Sequence, residues 1–157
     1  MKQLDIHPSI YECQMEELTS DEQRLLRQAI EATNRSYAPY SHFHVGAALL
    51  LADGTTFFGC NQENTAFPAG LCAERSALFA AGAQQPDVAP VMLAVAARGT
   101  NGQLTEEPVS PCGTCRQVII ETETRYHRPL RLLLYGQRCV YVMDGIVNLM
   151  PLSFSEF

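Results

Sequence analysis

The chain has 157 residues, 46% of them hydrophobic and 18% charged, which suits one soluble domain with a sizeable core. No run of eighteen or more apolar residues occurs, so no membrane partner is expected. The net charge is −6, Lys occurs only at Lys2, and the arginines are spread from Arg24 to Arg138 without a run, so no nucleic-acid partner is expected either.

In chain order, the opening MKQLDIHPSIYEC lacks the apolar core and small-residue cleavage site of a secretory signal, so the expected location is cytoplasmic. Within it, DIHPSIYECQM offers an edge strand. LTSDEQRLLRQAIEATNRS predicts an amphipathic helix, opened by a capping box of Thr19 with Glu22 or of Ser20 with Gln23. Leu25, Leu26, Ala29, Ile30 and Thr33 follow its helical spacing. YAPYSHF is a loop punctuated by Pro39. HVGAALLLADGTTFFGCN reads as a hairpin over 44–51 and 55–60 that turns at Asp53-Gly54. An Ala-rich helix follows over 71–83, and VAPVMLAVAARG then reads as a strand buried on both faces. After a polar loop, with Glu106 and Glu107 as loop charges, SPCGTCRQVIIETE predicts a helix with Pro111 at its first position. LRLLLYG and CVYVMDGIVNLMP supply two or three further strands. The order describes an α/β fold, a mixed sheet covered by helices, as a single domain over 1–157 with its core at 20–154 and an N-terminal extension at 1–18.

Three cysteines carry the candidate chemistry. Cys112 and Cys115 lie three apart at the mouth of one helix, and Cys72 opens another. Thiols at helix N-termini ionise more readily because free N–H groups and the macrodipole favour the thiolate. Three thiolates brought together suit a soft tetrahedral cation, and three protein ligands plus water is the arrangement of a catalytic zinc. Glu74 then stands beside the metal as a proton carrier, which requires Cys72 to lie beyond the helical geometry that separates positions two apart. Arg75 offsets the net negative charge that three thiolates leave on a dication. Other readings stand beside this one. Cys112 and Cys115 alone match a thiol–disulfide redox pair. Cys60, Cys139 or a histidine would close a structural zinc site. Free cysteines are also ordinary small buried hydrophobes, the plain reading of Cys13 and Cys139. Phe43, Phe57 and Phe67 read by default as core, and Asn61 and Glu63 as solvated turn residues.

Taken together, YAPYSHFHVGAALL, GCNQENTAF, CAERSALFAA, LAVAA and SPCGTCRQVI resemble the zinc-dependent cytidine deaminases of the three-cysteine type, in the family's order and over residues 20–154. The resemblance implies a three-layer α-β-α sandwich with a mixed central sheet and a homotetramer. It implies that Cys72, Cys112 and Cys115 hold Zn2+ and that Glu74 carries protons to and from the reacting ring. It places Ala73 backbone against the base, Phe43 in a stack on it, and Asn61 and Glu63 on the ribose hydroxyls. The ending LMPLSF makes Phe154 the match for an aromatic that a neighbouring subunit contributes. The implied activity is hydrolysis of cytidine and deoxycytidine to uridine, deoxyuridine and ammonia in pyrimidine salvage. The alternatives are another aminopyrimidine nucleoside as substrate, or a redox protein built on Cys112 and Cys115. TAFPAGLCAE follows one family variant and is placed to tune substrate choice.

Overall fold

The structure, a computed structural model, describes residues 1–155. Its strands are β1 (Tyr11–Cys13), β2 (His44–Leu51), β3 (Thr56–Cys60), β4 (Pro90–Arg98), β5 (Arg131–Tyr135) and β6 (Val140–Asp144). They form one sheet in the order β1-β6-β5-β4-β2-β3. Only β4 and β5 are parallel, and the other neighbours are antiparallel, so the sheet is mixed as expected. The N-terminal strand is present and occupies the β6 edge. No helix among the described residues is long and apolar enough to cross a membrane.

Helix α1 (Ser20–Ala32) lies on one face of the sheet, and α2 (Ala73–Gln84) and α3 (Gly113–Tyr126) lie on the other. The period of two along β4 shows why both faces are covered. Leu93 and Val95 pack with Ala73, Ala77 and Ile119, while Ala94 and Ala96 pack with Leu25, Leu26 and Ala29. The α1 cap is the Thr19–Glu22 box: Thr19 Oγ1 accepts from Glu22 N–H and the Glu22 carboxylate accepts from Thr19 N–H. Glu22 also pairs with Arg131 of β5 at 2.5 Å, which ties the first turn of α1 to the sheet.

Two glycines let helices sit directly on strand backbone. A Cβ at Gly46 would lie 2.2 Å from the Ala29 carbonyl oxygen, and one at Gly59 would lie 2.0 Å from that of Ala73. The first contact seats α1 on β2. The second seats the first turn of α2 on β3.

Two expectations are corrected. Pro111 is not the first helical residue: Cys112 takes the flanking cap position in extended conformation, and α3 begins at Gly113. The two further strands expected after α3 form as β5 and β6, and Gly145 then turns the chain at φ 86° into a short 3-10 turn over Ile146–Asn148. Phe67 is not core; it is exposed and meets Tyr40 edge-on, with ring centroids 6.0 Å apart. Phe57 does pack against the core, and Glu107 is a loop charge paired with Arg138.

Candidate active site

Gly59 fixes the start of α2 against the sheet, and with it Cys72, Glu74 and Arg75. Cys72 is the N-cap of α2 and Cys112 the N-cap of α3, and neither side chain spends itself on capping. Both thiols therefore stand at the positive ends of helices with free N–H groups. Cys115 lies in the first turn of α3, fully buried. The three sulfurs all fall within 4.8 Å of one another, and Cys72 and Cys112 approach to 3.7 Å.

All six cysteines are free thiols, so the cluster is not a disulfide. Among the described residues no fourth Cys, His, Asp or Glu joins it, which leaves a ligand position open. Cys60 and Cys13 are engaged elsewhere, donating to the carbonyls of Arg35 and Val140. Three thiol donors with an open position fit a catalytic zinc.

The electrostatics support that fit. The Cys72 thiol is pulled down to about 5 through its neighbour Cys115 and by Arg75, against the effect of burial. The same contact with Cys72, with burial, pushes the Cys115 thiol up, so the two thiols titrate as one coupled pair. Arg75 Nη2 donates to Cys72 Sγ at 3.5 Å, and its Nε is buried without a hydrogen-bond partner. A guanidinium so placed offsets surplus thiolate charge. Glu74 is not in the thiol group. It lies buried in the same turn, and burial raises its carboxyl pKa above the ordinary value.

In front of the thiols lies a cavity of about 330 Å³ whose wall includes Phe43, Asn61, Glu63, Glu74, Val109 and Ser110. Asn61 is held by the end of β2: its Oδ1 accepts from Val45 N–H at 2.7 Å and its Nδ2 donates to Phe43 O at 2.9 Å. An amide so engaged keeps one N–H and one lone pair for a ligand. Glu63 accepts from the backbone N–H of Tyr40 at 2.8 Å and of Ser41 at 3.2 Å. Bonds from Ser41 and Tyr40 hold its carboxyl below the usual range, so it is an anion.

The structure thus brings Phe43, Asn61, Glu63, Cys72, Glu74 and Cys112 to one cavity, with Cys115 and Arg75 behind it. Ala73 is buried beneath and is not on the wall, leaving its backbone as the part that can serve the site. Phe154 is exposed, its carbonyl accepts from Gln117 Nε2 at 2.7 Å, and it does not line the cavity of its own chain. Sequence reasoning missed Val109 and Ser110, whose only signal was adjacency to the Pro-Cys pair. It also missed Arg116, which braces the mouth of α3 by donating to Pro111 O and Leu149 O, both at 2.8 Å.

The family model described as "Cytidine and deoxycytidylate deaminase zinc-binding region" matches residues 19–127. The chain belongs to this family. A cytidine deaminase of Sporosarcina psychrophila is 46% identical over 101 residues, covering 64% of this chain and 69% of the relative. One from Halalkalibacterium halodurans is 47% identical over 102 residues, covering 64% and 71%. The crystal structure of cytidine deaminase from Burkholderia pseudomallei matches with a TM-score of 0.72 at 38% identity, over 87% of this chain and all of that one. That from Mycobacterium tuberculosis matches with a TM-score of 0.68 at 30% identity, over 88% and 100%. The family and the three-thiol cluster agree on zinc as cofactor.

Proposed function

We propose that the protein hydrolyses cytidine and deoxycytidine to uridine and deoxyuridine with release of ammonia, in pyrimidine salvage, as a cytoplasmic homotetramer. The observation that carries this reading is the buried, non-ligand carboxyl of Glu74 beside three clustered thiols, facing a cavity that also holds Asn61 and Glu63. Cys72, Cys112 and Cys115 hold the zinc. When bound, zinc supplies an acidified water, with a pKa of about 7, as nucleophile.

The protein's own groups do the remaining work. Glu74 takes a proton from the attacking water as its oxygen bonds to C4, and delivers that proton to N3. It then moves the remaining hydroxyl proton to the amino nitrogen, the C4–N bond breaks, and ammonia leaves as the C4 carbonyl forms. Burial raises the Glu74 carboxyl above its ordinary value, which makes it a better proton acceptor than a solvated carboxylate. Phe43 stacks on the base and the Ala73 backbone contacts it. Asn61, oriented by the β2 backbone, and the Glu63 anion hold the ribose hydroxyls. The Glu63 anion on the cavity wall repels phosphate, so nucleosides are preferred to nucleotides. Phe154 covers the base of a neighbouring copy.

The test is direct. Zinc-loaded protein is expected to convert cytidine to uridine with equal ammonia. Glu74→Gln is expected to keep its zinc and lose on the order of 10²–10⁴ in rate. A wild-type rate in that variant would refute the proton-carrier role. Survival of both cytidine and deoxycytidine with zinc fully bound would refute the substrate.

A further inference from the structure

The wall formed by Val109 and Ser110 continues from a segment clasped on both sides. Thr105 N–H donates to Ala97 O of β4 at 3.0 Å, and Gln137 N–H donates to Thr105 O at 3.0 Å. Arg138 N–H donates to Glu106 O at 3.0 Å. Side chains repeat the grip: Gln137 Nε2 donates to Leu104 O, and the Arg138 guanidinium pairs with Glu107. Residues 104–106 thus fill the space between the end of β4 and the turn that joins β5 to β6.

That turn begins at Gly136. A Cβ there would lie 2.6 Å from Glu106 O, from Glu107 C and from Pro108 N, all of them backbone atoms. Its φ is not left-handed, so the glycine is required by space alone. Two residues separate Pro108 from Pro111, and those two are Val109 and Ser110. On its other side the turn is braced by the N-terminal segment: Gln14 Nε2 donates to Arg138 O at 3.1 Å, and Cys13 pairs with Val140. Both the turn and its brace lie outside residues 19–127, the span of the family match.

We propose that the β5–β6 turn, through the close approach at Gly136 and the ties from Gln137 and Arg138, positions the Val109 and Ser110 wall against the bound nucleoside. Gly136 is a positioning residue, and the N-terminal segment serves the site by holding the turn. The inference rests on the deaminase reading. An added methyl at Gly136 must push the backbone of 106–108 outward by roughly 0.8 Å to reach ordinary contact near 3.4 Å.

The experiment compares Gly136→Ala with Gly54→Ala. Gly54 turns the β2–β3 hairpin at φ 88° with open space around it, so alanine there strains a turn away from the cavity. Gly136→Ala is expected to keep stoichiometric zinc, raise KM for cytidine about tenfold, and change kcat less. Hydrogen exchange over 104–110 is expected to quicken about tenfold. Gly54→Ala is expected to lower Tm with neither effect. KM and exchange in Gly136→Ala matching those of wild type or of Gly54→Ala would overturn the proposal. If Gly136→Ala does not fold, Gln137→Ala with Arg138→Ala removes both side-chain ties and keeps the glycine. A KM raised about threefold with faster exchange is then expected, and no change in either overturns it. Exchange is read without turnover, so an inactive wild type would sink the deaminase reading while the clamp is still decided.

Discussion

Gly59→Ala tests whether the seat of α2 on β3 sets the chemistry. The new Cβ would lie 2.0 Å from Ala73 O and 2.6 Å from Ala77 N, so α2 must move outward by roughly 1.4 Å to reach contact near 3.4 Å. Its first turn carries Cys72, Glu74 and Arg75, so the thiol, the proton carrier and the charge partner move together. Overpacking of this kind costs about 1–3 kcal/mol, which lowers Tm by roughly 2–12 °C in a chain of this size. The catalytic cost adds to this, on the order of 10²-fold in kcat/KM, because a displacement near 1 Å spoils the alignment of reacting groups. Gly46→Ala is the matched control. It drives a Cβ to 2.2 Å from Ala29 O on the opposite face, against α1, which carries no site residue. Both variants should lose comparable Tm, and only Gly59→Ala should lose kcat/KM per folded molecule. Equal kcat/KM in the two folded variants would refute the reasoning.

Two further predictions test the metal and the pH response. Cys112→Ala should lose zinc and activity together, measured by metal analysis and deamination rate, because two thiols with an exposed gap hold the cation poorly. Full zinc occupancy in that variant would remove Cys112 from the ligand set. Burial alone would raise the Glu22 carboxyl, but bonds from Thr19 and Arg131 hold it below the ordinary value of 4.5. A depressed folded pKa contributes stability above the unfolded value, and that stability is lost as pH falls through the folded one. Wild-type Tm should therefore drop on acidification below 4.5, while Glu22→Gln starts less stable by about 1–3 kcal/mol and its Tm falls less steeply. Parallel curves would refute this role.

Much of the fold was legible because its signals are local. The Thr19 and Glu22 box, the Asp53-Gly54 turn and the two-faced apolar run of β4 each follow from residues adjacent in sequence. The thiol cluster was legible for the same reason, since Cys72 and Cys112 announce helix mouths. What escaped depends on contacts between distant segments. Phe67 reads as core by composition, yet it caps Tyr40 at the surface. Arg116 reads as an ordinary helical arginine, and its role appears only when Leu149 returns to the mouth of α3. Val109 and Ser110 carry no signal beyond adjacency to the Pro-Cys pair, because the segment that leads to them, 104–108, is held by neighbours at 97 and 136–138.

Asn61 joins the two kinds of information. Its identity is legible, but its orientation comes from the hairpin register that pairs Gly46 with Cys60 and Leu49 with Phe57. That register buries Ala47 and Leu49 in the core and delivers Asn61 one residue past β3. There its N–H reaches Val45 O, and its side chain bridges Val45 N–H and Phe43 O. A slip of one residue would turn every side chain of β3 to the other face and carry the Asn61 amide off the cavity. Because the core would lose its packing in the same slip, the pressure that keeps this hairpin folded also keeps the amide aimed at the cavity.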